Sequence, residues 1–225
     1  MNRILKRHGF FAVTAKKEIT KVQKLNTEAV NASSSDLYEP VNKSIIKRLP
    51  WLVILLFLGT GVSATVGLFE SIVAHLPVIM CFQSLILDMA GNVGTQSLAV
   101  AIRVLMDDSI CRKNKVSLIL KECRVGLING AILGVVSFIA IGGYLCLTGN
   151  NPLFGFSISG CLGVAMVLAM AISSFVGTAI PLVFKKAGVD PAVASGPLIT
   201  TVNDLVAVIT YYGLSRLILI NIMHL

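Results

Sequence analysis

Charge is scarce in this chain of 225 residues: only 13% of its side chains are Asp, Glu, Lys or Arg, where a soluble domain usually carries about 25%. The scarcity is also uneven. Residues 1–50 hold 14 of the 30 charged side chains, which leaves 16 for everything that follows. A stretch that apolar, in a chain of mean hydropathy +0.84, needs lipid as its solvent, which excludes an ordinary soluble domain. Cysteine is equally unpatterned. Cys81, Cys111, Cys123, Cys146 and Cys161 are odd in number and form no C-x-x-C pair, so neither a disulfide framework nor a thiolate metal site follows. Aromatics make up 7% of the chain and do not interleave with its basic residues. The net charge of +8 is therefore not read as a nucleic-acid footprint. No apolar stretch of signal length precedes residue 50, so no cleaved leader is expected.

What is there begins with a polar, basic leader over residues 1–50. Its first part, Met1 to about Val30, fits an amphipathic helix on anionic headgroups, with Ile4, Leu5, Phe10 and Phe11 toward lipid; a solvated tail is the other reading. Asn31–Pro40 reads as a linker. Residues 51–225 then form one membrane domain of five apolar segments: Trp51–Ala74, Pro77–Leu105, Val125–Leu147, Ser157–Phe184 and Pro191–Leu219. Each is long enough for a span of about 20 residues. The expected fold class is an all-α membrane protein with five transmembrane helices, multi-pass in a cell membrane of prokaryotic type.

Orientation follows from the basic residues. Ten Lys/Arg lie in the leader, six between Arg103 and Arg124, and two at Lys185 and Lys186, which puts 18 of 19 on one side. That side is expected to be cytoplasmic. An odd number of spans then leaves the N-terminus inside and the C-terminus outside.

Spans three and four carry small residues one turn apart. Gly126, Gly130 and Gly134 mark one stripe; Ala165, Ala169, Ser173 and Gly177 mark another. Such seams let helix backbones approach closely and are expected to be packing. Asn129 is expected to make a hydrogen bond between helices.

Three carboxylates fall within the apolar segments: Glu70, Asp88 and Asp204. A charge near the bilayer centre costs roughly 2.5–3.5 kcal/mol, so such residues mark function by default. Glu70 lies near a span end, where it can reach headgroups. Asp88 is deeper and is followed by Asn92 and Gln96, four and eight residues on, which places all three on one helix face. Gly91 and Gly94 thin the same helix. On span five, Thr200 precedes Asp204 by one turn, Asn203 is adjacent, and Gly196–Pro197 lies a turn earlier, where the proline leaves a carbonyl unpaired. Asp190–Pro191 makes a suitable helix start.

This inventory is carboxylate, amide and hydroxyl oxygen, with no His or Cys. Hard cations such as Mg²⁺ and Ca²⁺ take those donors, whereas Zn²⁺ and Cu⁺ favour nitrogen and sulfur. With one or two carboxylates per chain, water must complete the shell, which suits Mg²⁺. The alternative is that Asp88 and Asp204 are hydrogen-bonded links between helices. No nucleophile–base set accompanies the acids, so the chain is not read as an enzyme. Because one chain offers few carboxylates and twofold symmetry is commonest, a homodimer is expected.

The run from Pro77 to Leu105, centred on Gly91-Asn92-Val93-Gly94-Thr95-Gln96 and trailed by Arg103, resembles the signature helix of the MgtE magnesium transporters. The segment PLVFKKAGVDPAVASGPLITTVNDLVAVITYY, Pro181 to Tyr212, is similar to that family's last helix pair. The similarity covers about residues 47–220. It implies a five-helix domain that dimerises around a Mg²⁺ pore built from spans two and five. The resemblance puts Asp204 at the principal pore carboxylate, Thr200 and Gly196 on the turns beside it, and Asn92 at the span-two asparagine. The resemblance does not place Asp88 on a ligand position, and its assignment rests on helix geometry alone. Typical members carry a helical domain and paired regulatory domains before the first span. Here about fifty residues precede Trp51, so the resemblance is to the membrane domain alone, and feedback closure through those domains is not expected. A broader divalent or Na⁺-coupled cation carrier is the alternative within transport.

Overall fold

The computed structural model describes residues 40–106, 115–149, 151–188 and 196–223. The leader and linker expected up to residue 39, the helix start expected at Asp190–Pro191, and the basic residues 112 and 113 lie outside the described residues. The chain divides into two units, Met1–Val53 and Ile54–Leu225. The described part of the first is helical from Val41. Ile45, Ile46, Leu49 and Leu52 are all exposed there, and Pro50 sits within the helix.

That helix, α1 (Val41–Gly67), continues into the second unit without a fully buried residue. Its Val62 and Val66 lean on the main apolar core. Next come two short helices, α2 (Glu70–His75) and α3 (Val78–Cys81), then α4 (Gln83–Leu105). The long helices α5 (Lys115–Leu147) and α6 (Pro152–Lys186) follow, and α7 (Gly196–Ser215) runs on as a π-helical segment, Arg216–Ile222. There is no strand among the described residues. Five helical stretches are long and apolar enough to cross a membrane: Val41–Gly67, Val78–Leu105, Lys115–Leu147, Pro152–Lys186 and Gly196–Ile222. The five-span all-α class holds, but the boundaries move. Span one ends at Gly67 rather than Ala74, because a turn at Leu68–Phe69 starts the separate helix that carries Glu70. Span three begins at Lys115, ten residues before Val125, since charged side chains stop an apolar run without stopping a helix. Span four opens at Pro152, where Asn151 caps the first turn by accepting from the Leu153 N–H at 3.0 Å.

The α5–α6 contact is a glycine seam. A Cβ on Gly130 would stand 2.8 Å from the Val167 Cα, and one on Gly134 would stand 2.8 Å from the Gly163 carbonyl oxygen. Neither leaves room for a side chain. The Ala165, Ala169, Ser173 and Gly177 stripe is a separate face of α6. Gly177 meets the backbone of Gly94 on α4, and Ala165 and Ala169 sit in the core that holds Tyr211 and Tyr212 of α7. Without a hydrophobic drive between helices in lipid, these close approaches supply the packing that replaces it. Helix α6 is thereby the hub, touching α5 on one face and α4 and α7 on the other.

Candidate functional site

Helices α4 and α7 meet side by side and leave a groove of about 280 Å³ between them. Asp88, Gly91 and Asn92 of α4 and Thr200 and Asp204 of α7 line it together, joined by Ser84 and Thr95. The four-residue spacing that put Asp88 and Asn92 on one face extends one turn back to Ser84. All three are exposed on the surface of the single chain, while Asp204 and Thr200 are partly buried at the seam. The other face of α4, at Ala90, Val93, Gly94, Ser97 and Leu98, is buried against the bundle.

Hydrogen bonding gives the groove its electrical character. The Asn92 amide donates to Asp88 Oδ1 at 3.1 Å, so its carbonyl oxygen remains an acceptor. Thr200 Oγ1 donates to the Gly196 carbonyl at 2.9 Å, and Thr95 Oγ1 donates to the carbonyls of Gly91 and Asn92 at 3.0 and 2.9 Å. Each hydroxyl proton is thus committed to the helix backbone, and the lone pairs are left over. Two carboxylates, an amide oxygen and two such hydroxyls make a lining of acceptors. That lining accepts the protons of a hydrated cation's water shell. No group of three or more His, Cys, Asp or Glu comes together among the described residues.

The other candidates fall elsewhere. Gly196 touches the site only through its carbonyl, which accepts from Thr200. Gln96 points to a neighbouring groove of about 250 Å³ on the α5 side, shared with Asn92 and Asn129. The interhelical hydrogen bond expected of Asn129 is not among those observed; it faces this groove instead. Asn203 is fully buried, and its amide, which lies against Gly94, has no hydrogen-bond partner among the described residues. Pro197 lies in the first turn of α7, and the carbonyl one turn before it falls outside the described residues.

Two polar features escaped the sequence. Glu122, which precedes the third apolar segment, is 5% exposed on α5, where its Oε2 accepts from Ser97 Oγ at 3.2 Å and its Oε1 lies 3.7 Å from Lys121 Nζ. The break between α3 and α4 is tied to α7 by two tyrosines. Tyr211 Oη donates to the Ile79 carbonyl at 2.8 Å, and Tyr212 Oη donates to Gln83 Oε1. Only the Tyr-Tyr doublet at the end of an apolar run hinted at this, since buried tyrosine hydroxyls usually find a partner.

Five helical stretches long and apolar enough to cross a membrane define the class: a multi-pass α-helical membrane protein. Residues 83–214 match the family MgtE, described as divalent cation transporter. Among curated proteins, the chain is 42% identical over 175 residues to a magnesium transporter MgtE of Enterococcus faecalis, covering 78% of this chain and 37% of that protein. It is 37% identical over 170 residues to that of Bacillus subtilis, covering 75% of this chain and 36% of the relative. To that of Thermus thermophilus it is 31% identical over 174 residues, covering 77% and 37%. The chain belongs to the MgtE family. It spans little more than a third of the length of these relatives.

Proposed function

We propose that this chain carries Mg²⁺ across a cell membrane, along the acceptor-lined groove between α4 and α7. The observation that carries the reading is the convergence of Asp88, Asn92, Thr200 and Asp204 on one groove, within helices apolar enough to lie in lipid. A polar strip of that kind is costly against hydrocarbon, so it faces water or protein. A second copy related by a twofold axis would cover it, enclose the path and double the carboxylates. In this arrangement Asp204 holds the hydrated ion electrostatically, Asn92 fixes the Asp88 carboxylate, and the threonine oxygens receive protons from the ion's water.

The relatives' names support magnesium as the cargo, and the family description supports divalent cations more widely. The broader reading, including Na⁺ coupling, is separated by the same assay. Liposomes containing only this chain are loaded with a Mg²⁺-sensitive dye, and influx is followed with and without a Na⁺ gradient. Uptake of Mg²⁺ that is independent of Na⁺ and abolished in Asp204→Ala is the expected result. Liposomes as tight as protein-free controls would sink the proposal, and equal uptake of Ca²⁺ or Mn²⁺ would replace it with the broader one.

A further inference from the structure

The side of α5 that faces away from Asn129 carries a second kind of groove. Arg124, Leu127 and Ile128 of α5 and Ala171, Ile172 and Phe175 of α6 wall a space of about 490 Å³. Leu127, Ile128, Ile172 and Phe175 are 52%, 56%, 41% and 47% exposed, so the space opens outward instead of being filled by the protein. Both helices belong to stretches long and apolar enough to cross a membrane, where an outward-facing apolar opening meets acyl chains.

The groove is apolar along its length and basic at one end. Arg124 immediately precedes the apolar run that starts at Val125, and a long basic side chain at the end of such a run extends toward headgroup phosphates. No ion pair is found for it among the described residues. Lys121 stands one turn away with its side chain 68% exposed; it approaches Glu122 at 3.7 Å but keeps donors for solvent. The Glu122 carboxylate, 6% exposed, is turned into the bundle and presents little charge to the groove.

We infer that this groove is a binding site for an anionic phospholipid, with one acyl chain between α5 and α6 and the phosphodiester on Arg124 beside Lys121. A bilayer supplies the two halves in the matching order, phosphate at the interface and hydrocarbon below it. Two neighbouring cations disfavour the ammonium of a zwitterionic headgroup, which is the physical basis for selecting a net negative lipid. The inference does not depend on the transport reading.

Cys123 also lines the groove and serves as a reporter. A full chain retaining Cys123 as its one cysteine is purified in mild detergent and exposed to a thiol reagent. It is titrated with phosphatidylglycerol, with phosphatidylcholine of the same chains, or with glycerol 3-phosphate. Phosphatidylglycerol is expected to protect Cys123 at about fivefold lower concentration than phosphatidylcholine, the worth of one basic residue near a membrane surface. Arg124→Gln is expected to erase that preference and Arg124→Lys to keep most of it, with native mass spectrometry counting retained lipid in parallel. Equal protection by both lipids in the unmodified protein would overturn the inference without reliance on any variant folding. Protection by glycerol 3-phosphate alone would also overturn it, by showing a phosphate site with no use for the acyl chain.

Discussion

Asp88 and Asp204 reach the same groove from differently held positions. Asp88 is exposed on α4 and already accepts from Asn92, whereas Asp204 is partly buried where α7 meets α4 and has no such observed partner. Two unit charges 4 Å apart interact by about 1–4 kcal/mol, depending on how far water screens them, and the double charge of Mg²⁺ doubles that. Asp204→Asn keeps the shape and removes the charge, and Asp204→Ala removes the donor as well. Both are expected to reduce Mg²⁺ flux severely while leaving the folded protein intact, because deleting a costly buried charge need not destabilise a bundle. Asp88→Asn is expected to be milder. Growth of a strain without other Mg²⁺ importers, with expression measured alongside, checks all three. Near-normal growth with Asp204→Ala would take Asp204 out of the ion path. Glycines at the crossing behave oppositely. A Cβ on Gly177 would strike the Gly94 carbonyl, so Gly177→Ala is expected to cost about 1–3 kcal/mol of stability. Gly213, with nothing within 4 Å of a built Cβ, is the control. Its replacement by Ala should be neutral or slightly stabilising in a detergent melting measurement.

At the scale of elements, the helix that carries the site is broken before it begins. Phe82, at φ −105° and ψ 0°, separates α3 from α4, and the Ile79 carbonyl there accepts from Tyr211 as well as from the Phe82 N–H. Tyr211→Phe keeps the ring and removes one hydrogen bond, so a loss of about 1 kcal/mol is expected. A melting temperature unchanged from the parent would mean that the carbonyl is adequately served by the backbone. Helix ends also bear on orientation. Lys185 Nζ donates to the Leu105 carbonyl, which puts the C-terminal ends of α4 and α6 on one side of the bundle, as the positions of Arg103, Lys185 and Lys186 require. We predict that this side is cytoplasmic. An impermeant thiol reagent should leave a cysteine at position 113 unlabelled in intact cells and label one at position 149. The reverse pattern would invert the topology.

At the scale of the whole molecule, the exposed row Ser84, Asp88 and Asn92 runs along one side of a bundle whose other surfaces are largely apolar. A twofold dimer that buries this row is expected. Mass measurement in mild detergent, together with cross-linking of cysteines placed at Ser84, checks it, and monomers under every condition would count heavily against it. Much of this was legible in the chain itself. Scarce charge demanded lipid, and period-four spacing put Asp88 and Asn92 on one face, because a helix repeats nearly every fourth residue whatever surrounds it. The span limits were legible only roughly, since hydropathy marks where the membrane lies and not where backbone hydrogen bonds stop, as Lys115 and Gly67 show. Tertiary packing decided the rest. It sent Gln96 to the α5 side and buried Asn203 against Gly94, because a helix crossing admits one face of each partner and turns its neighbours away. Glu122 lies among basic residues ahead of the third apolar segment, and only the packing of α5 places its carboxylate inside the bundle. Composition and periodicity are local, and they determined the class and one polar face. Which residues of α7 meet that face depends on the close approach of Gly91 to Thr200 and of Gly94 to Asn203, contacts across 109 positions that no local pattern encodes.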